Sequence, residues 1–271
     1  MFTDMKLQIK MLSSLLLTLI LIGCNSKQIE MEKIIFLHHS TGQRIWIGET
    51  NRYIFRLTKR NDIQSYFKNW NKKHKTNYVI TEQTFPAAAP YGWKNDPYDY
   101  YNIWVKNAGD KPYMNEPTLE ILTRDYNVII FKHCYPVSNI KEDTGNPDIN
   151  SEERRVENFK LQYIALKNKM HEFSENKFII WTPAVQVKNN LTLEEAQRTQ
   201  IFYRWIKEEW DEKGDNVFVW DFYQYETDGG LYLKDEYSTT AFDSHPNRKF
   251  AGRIAPIFAQ FILDVIEGKI E

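Results

Sequence analysis

Cysteine, glycine and any excess of one charge are all scarce in this sequence. Its 2 cysteines, Cys24 and Cys134, are too few for a framework of several disulfides. No Cys-x-x-Cys or His-x-x-x-His spacing offers a structural metal site. The 35 lysines and arginines are balanced by 36 aspartates and glutamates, a formal net charge of −1. That balance excludes the strongly basic character of a nucleic-acid binder. None of the 11 glycines builds a phosphate-cradling loop, so no organic cofactor is implied. No apolar run reaches the roughly 20 residues of a membrane-spanning helix.

What is present begins with a short basic start, Lys6 and Lys10, followed by an uncharged apolar run from Met11 to Ile22 and then Gly23-Cys24. An apolar segment of this length between basic residues and a small residue reads as a signal-peptide core. Leu21-Ile22-Gly23-Cys24 resembles the bacterial lipobox, in which the peptidase cleaves before the cysteine and the thiol takes a lipid. The resemblance implies a signal peptide over 1–23, diacylglycerol with palmitate on Cys24, and a polar linker over 24–32. The expected location is the cell envelope outside the cytoplasm, tethered to the membrane; Asn25 after the cysteine points to the outer membrane of a Gram-negative cell. With Cys24 acylated, Cys134 has no intrachain partner.

From residue 33 to 271 the pattern is one domain of alternating apolar runs and amphipathic stretches. Lys33–Leu37, a segment opening at Tyr78, Val128–Phe131, Phe178–Trp181 and Val217–Trp220 read as strands apolar on both faces. Helical spacing covers Tyr53–His74, Ser151–Phe173 (capped by Ser151), Thr192–Trp210 (opened by a Thr-x-x-Glu capping box) and Asn247–Glu267, with a short helix near Thr118–Thr123. A Tyr/Trp-rich segment, 93–117, reads as an insertion. Strands alternating with helices predict a flavodoxin-like three-layer α/β/α sandwich with a mainly parallel five-stranded sheet. In such a sheet ligands bind beyond the carboxyl ends of the strands.

The first strand runs directly into His38-His39-Ser40-Thr41-Gly42. A serine in a tight turn at that edge presents its hydroxyl, but it needs a base to act as a nucleophile. Asp243-Ser244-His245-Pro246-Asn247, just before the last helix, supplies one: His245 as general base and Asp243 to fix its tautomer. Asp221, after the fifth strand, is a rival acidic partner. Cys134, beside His133, reads as a structural thiol rather than a nucleophile.

This order of Ser40, Asp243 and His245 resembles the SGNH/GDSL hydrolase superfamily. Ile34–Gly42 stands at its Gly-Asp-Ser block and Asp243–Asn247 at its Asp-x-x-His block. Here His39 replaces the aspartate, and one residue, not two, separates Asp243 from His245. The resemblance implies an esterase or acyl-transfer enzyme with an oxyanion hole. Gly92, after the second strand, and Asn139, after the third, are the candidate donors besides Ser40 N–H. It also implies a carbohydrate or other acyl-ester substrate, acetylated glycan above all.

Two other readings compete. His38, His39, His133, Asp243 and His245 converging at the sheet edge would make a metal-dependent hydrolase. Trp93, Tyr98, Tyr100, Tyr101 and Trp104 displayed on the surface would make a non-catalytic glycan-binding lipoprotein.

Overall fold

The computed structural model describes residues 31–270. The signal peptide, Cys24 and most of the linker therefore lie outside the described residues. Among the described residues no helix is long and apolar enough to cross a membrane.

The chain begins with β1 (Glu32–His38), followed by α1 (Ser40–Ile47), α2 (Arg52–Thr58), α3 (Asp62–His74) and β2 (Tyr78–Thr84). Next come α4 (Pro97–Tyr101), which runs on through a wider turn over Asn102–Lys106, then α5 (Leu119–Asp125) and β3 (Val128–Phe131). α6 (Val156–His171), β4 (Lys177–Trp181), α7 (Leu193–Trp205), β5 (Val217–Trp220) and α8 (Phe222–Thr227) follow. A small hairpin, β6 (Ser238–Thr240) with β7 (Asp243–Pro246), leads into α9 (Arg248–Ile266).

The five long-range strands pair in parallel in the order β2-β1-β3-β4-β5. This is the flavodoxin-like order, with its switch point between β1 and β3. Alternate residues of each strand feed opposite layers, because successive side chains in a strand point to opposite faces. Ile35, Leu37, Ile129, Phe131 and Ile180 pack under α4 to α7, with Tyr100, Trp104, Tyr163 and Phe202. Ile34, Phe36, Ile130 and Trp181 pack under α1, α3 and α9, with Trp46, Phe67 and Phe258. The three-layer α/β/α sandwich expected from the sequence is the fold.

Local chemistry sets the element ends. Thr192 and Glu195 form the expected capping box on α7, and Asn247 caps α9 by accepting from Phe250 N–H. The helix expected over Tyr53–His74 is instead two. Lys59 turns left-handed (φ 58°), and the Asn61 side chain accepts from Gln64 N–H, starting α3 afresh. Nor does Ser151 cap α6, which starts at Val156. Glu152 and Glu153 pair with Lys94 and Lys141, while Glu157 accepts from Thr144 and Gly145 N–H, pinning the preceding loop.

The Tyr/Trp-rich segment is core rather than a display surface. Tyr100 and Trp104 are fully buried, and Trp93 and Tyr101 nearly so. Trp104 stacks on Phe85 and meets Tyr100 and Phe131 edge-on, and its indole N–H donates to Pro117 O at 3.1 Å. Of the five rings expected to form a glycan platform, four are therefore core and Tyr98 is half-buried. Rings contributing this much apolar area are stabilised most by burial, given a polar handle for the indole.

Candidate active site at the carboxyl edge of the sheet

β1 ends at His38, and His39 sits in extended backbone at the N-cap of α1, so Ser40 is the first helical residue. Ser40 is exposed, and its hydroxyl makes no hydrogen bond to another described residue. The first N–H groups of a helix have no intrahelical acceptor; Gln43 N–H is the one that closes onto His39 O, at 2.9 Å. Gly42 is where α1 crosses closest to β1. A Cβ there would lie 2.4 Å from His38 Cβ and 3.1 Å from Lys132 Cδ.

The two histidines before Ser40 are structural ties. His38 pairs through Nε2 with Glu82 (2.8 Å) and through Nδ1 with His39 O (2.9 Å), joining β1 to β2. His39 Nε2 donates to Pro86 O at 2.6 Å, and its burial lowers the imidazole pKa.

β7 carries both Asp243 and His245. His245 Nδ1–H donates to Asp243 Oδ1 at 2.5 Å, and the same oxygen accepts His245 backbone N–H at 3.0 Å. The two side chains are 22% and 36% exposed, so the pair is reachable from solvent. Burial opposes ionisation of Asp243, but the hydrogen bonds from His245 outweigh it and hold the carboxyl below its ordinary range. His245 Nε2 makes no hydrogen bond to a described residue. The hairpin packs against α1, bringing the strand of Asp243 and His245 beside the helix of Ser40. Asp221 is occupied elsewhere: it caps α8 through Gln224 N–H and accepts from Tyr203 OH.

Sequence reasoning passed over two side chains near this pair and a third beneath α1. The Tyr135 ring meets the His245 imidazole edge-on at 5.1 Å, and its phenol is pushed up by burial and by the Asp243 charge. Arg44, one turn beyond Ser40, is close enough to Asp243 to feel its charge. Lys132, the residue after β3, is fully buried beneath Gly42, with its Nζ 3.9 Å from Cys134 Sγ. Burial lowers its pKa, and Cys134 and Glu226 pull it back up. A lysine directly after a wholly apolar strand was the one signal available for it.

The two expected oxyanion donors fare differently. Gly92 N–H is already given to Ala88 O at 2.5 Å, so it is not a free donor in this arrangement. Asn139 Oδ1 accepts from Gln186 Nε2 at 2.7 Å, which turns its amide so that Nδ2 is the end without a partner among the described residues. The next residue, Val187, donates to Ser244 Oγ at 3.1 Å, tying this loop to β7.

The metal reading finds no geometry. Among the described residues no group of three or more His, Cys, Asp or Glu side chains is gathered as a metal site needs. His133 lies edge-on to Tyr100 at 4.7 Å with neither ring nitrogen hydrogen-bonded. Burial, reinforced by Lys132, holds its imidazole down at about 3, against a slight pull from the Asn95 backbone outside hydrogen-bonding geometry.

No protein-family profile and no curated protein sequence matches this chain. A similar solved structure is that of a carbohydrate esterase whose active site displays divergent catalytic and non-catalytic binding functions. The likeness has 13% sequence identity and a TM-score of 0.37, and it covers 86% of this chain. The chain spans 65% of that protein's length, less than two thirds.

Proposed function

We propose that this chain is an extracytoplasmic serine esterase or acyltransferase of SGNH type, acting on acyl groups, acetyl above all, carried by a glycan. The observation that carries the reading is the Asp243–His245 hydrogen bond on a strand packed against the helix that opens with Ser40. With Nδ1–H held by the carboxylate, Nε2 is the nitrogen left to take a proton.

In this mechanism Ser40 Oγ attacks the ester carbonyl as His245 Nε2 removes its proton, and Asp243 stabilises the imidazolium. Negative charge on the carbonyl oxygen is met by the open N–H groups of the first turn of α1 and by Asn139 Nδ2. The tetrahedral intermediate collapses, and His245 returns the proton to the departing sugar oxygen. Water, or another hydroxyl, then gives its proton to His245 and attacks the Ser40 ester, releasing the acyl group and restoring the serine. The glycan as substrate rests on the expected export of the chain and on the SGNH resemblance of its two blocks.

The test is covalent. A fluorophosphonate should label the native protein on the peptide containing Ser40 and leave Ser40→Ala unlabelled, with p-nitrophenyl acetate hydrolysis lost in step. A folded native protein that neither reacts nor hydrolyses the ester overturns the reading.

A further inference from the structure

Where residues of α1, α2 and the start of α9 come together lies a cavity of about 240 Å³. Arg44, Arg52 and Arg248 line it together with Thr50, Tyr53 and Pro246, and no carboxylate residue does. The cavity adjoins the candidate site at two points. Pro246 is the residue after His245, and Arg44 follows Ser40 by four residues, a rise of about 6 Å along the helix.

The three arginines come from α1, α2 and the start of α9. None forms an ion pair within 4.0 Å with a carboxylate of a described residue, and neither Arg44 nor Arg52 donates a side-chain hydrogen bond to a described residue. Arg248 is oriented by its Nε–H, which donates to Glu49 O at 2.5 Å and leaves the outer guanidinium nitrogens uncommitted. Burial and the nearness of Arg52 both lower the pKa of Arg44, while Asp243 works against them. The chain as a whole has a formal net charge of −1, so this convergence of positive charge is local. Asp243 lends Arg44 a neighbouring negative charge, while Arg52 and Arg248 are exposed to solvent; a bound anion would give these guanidiniums charge-assisted hydrogen bonds in place of solvation. Guanidinium forks match the geometry of carboxylate and phosphate.

We infer that this cavity is a subsite for an oxyanion, carboxylate or phosphate, borne by the substrate next to its acyl ester. The inference rests on the reading of Ser40 and His245 as the reacting pair. It narrows the substrate from acylated glycans in general to acidic ones. A neutral acylated sugar would leave the arginines unanswered, whereas a uronate or sugar-phosphate unit would place its charge among them as the ester reaches Ser40.

Two measurements test it separately from the chemistry. The first is equilibrium binding to the full chain carrying Ser40→Ala, by calorimetry. The probes are a galacturonate trisaccharide, a glycerol phosphate oligomer and a neutral xylotriose. One or both anions should bind and the neutral sugar should not. Binding should weaken roughly ten- to hundredfold when Arg52→Ala or Arg248→Ala is added, the scale of a charge-assisted hydrogen bond. It should also weaken as salt rises from about 0.05 to about 0.5 M. Whichever anion binds identifies the source of the oxyanion.

The second is acetate release by the native protein from the acetylated forms of the same three probes. The preference for the acidic ester in kcat/KM should shrink in both arginine variants. If neither anion binds, or if both arginine variants bind as the parent does, the subsite is overturned whatever the esterase result. If an anion binds at the arginines but no acetyl ester is cleaved, the subsite stands and the proposed reaction falls.

Discussion

Asp243 Oδ1 accepts two hydrogen bonds from a single residue, the backbone N–H and the imidazole Nδ1–H of His245. The spacing makes this possible. Asp243 and His245 are two apart on the extended backbone of β7, where the alternate residues Ser244 and Pro246 are buried and they are not. Residues i and i+2 of a strand share a face. An Asp-x-His spacing thus does on a strand what a longer spacing must do in a loop.

Asp243→Asn should leave the chain folded and collapse ester hydrolysis. An amide in place of the carboxylate can hold the wrong imidazole tautomer, and in Ser-His-Asp enzymes that loss is about 10⁴-fold in kcat. The measurement is kcat for p-nitrophenyl acetate at neutral pH. A fall smaller than about tenfold would mean that the carboxylate does not serve His245 in catalysis.

Gly42 should be intolerant of even one methyl group. Its Cβ would press on His38 Cβ at 2.4 Å, and His38 is held on both ring nitrogens. Overpacking of this kind costs about 1–3 kcal/mol, and here the strain falls on the helix that opens with Ser40. Gly42→Ala is expected to lower the urea midpoint and the esterase rate together. A midpoint matching the parent protein would show that α1 shifts freely.

Trp104→Ala distinguishes core from display. A fully buried indole with three ring contacts and a hydrogen bond to Pro117 O should cost about 3–5 kcal/mol on removal. Chemical denaturation reads this directly. A glycan-binding ring on the surface would leave the unfolding curve where it was, so a negligible shift contradicts the packing described above.

Asp99 predicts a pH dependence of stability. Burial raises its carboxyl to about 6 in the folded chain, although it accepts Lys94 and Asp96 N–H. Between the unfolded value of 3.8 and about 6 the folded protein binds the extra proton, so stability falls as pH rises through that window and is level above it. The span corresponds to up to roughly 3 kcal/mol. Asp99→Asn keeps the acceptor oxygen but cannot ionise. Urea denaturation of both proteins from pH 4 to 7 should show the variant gaining on the parent across this range. Parallel curves would show that Asp99 titrates normally.

Much of this molecule is written in short-range pattern. Val128–Phe131 and Val217–Trp220 have as strands the bounds their apolar runs suggest, and Thr192 with Glu195 opens α7 as a Thr-x-x-Glu signal should. These features depend on periodicity and on hydrogen bonds closed within a few residues, so the sequence alone determined them, and with them the alternation that makes a parallel sheet. The position of Ser40 after β1 and of His245 before α9 was legible for the same reason.

What only the tertiary structure decided depends on partners distant in the chain. Trp93, Tyr100 and Trp104 look the same in sequence whether they bind sugar or fill a core. Phe85, Phe131 and the sheet face made them core. Gly92 was a plausible oxyanion donor until Ala88 O took its N–H. Arg44, Arg52 and Arg248 come from three separate elements, and no local pattern announces that they meet. Composition counts charges, but only the meeting of α1, α2 and the start of α9 sets three of one sign along a single cavity.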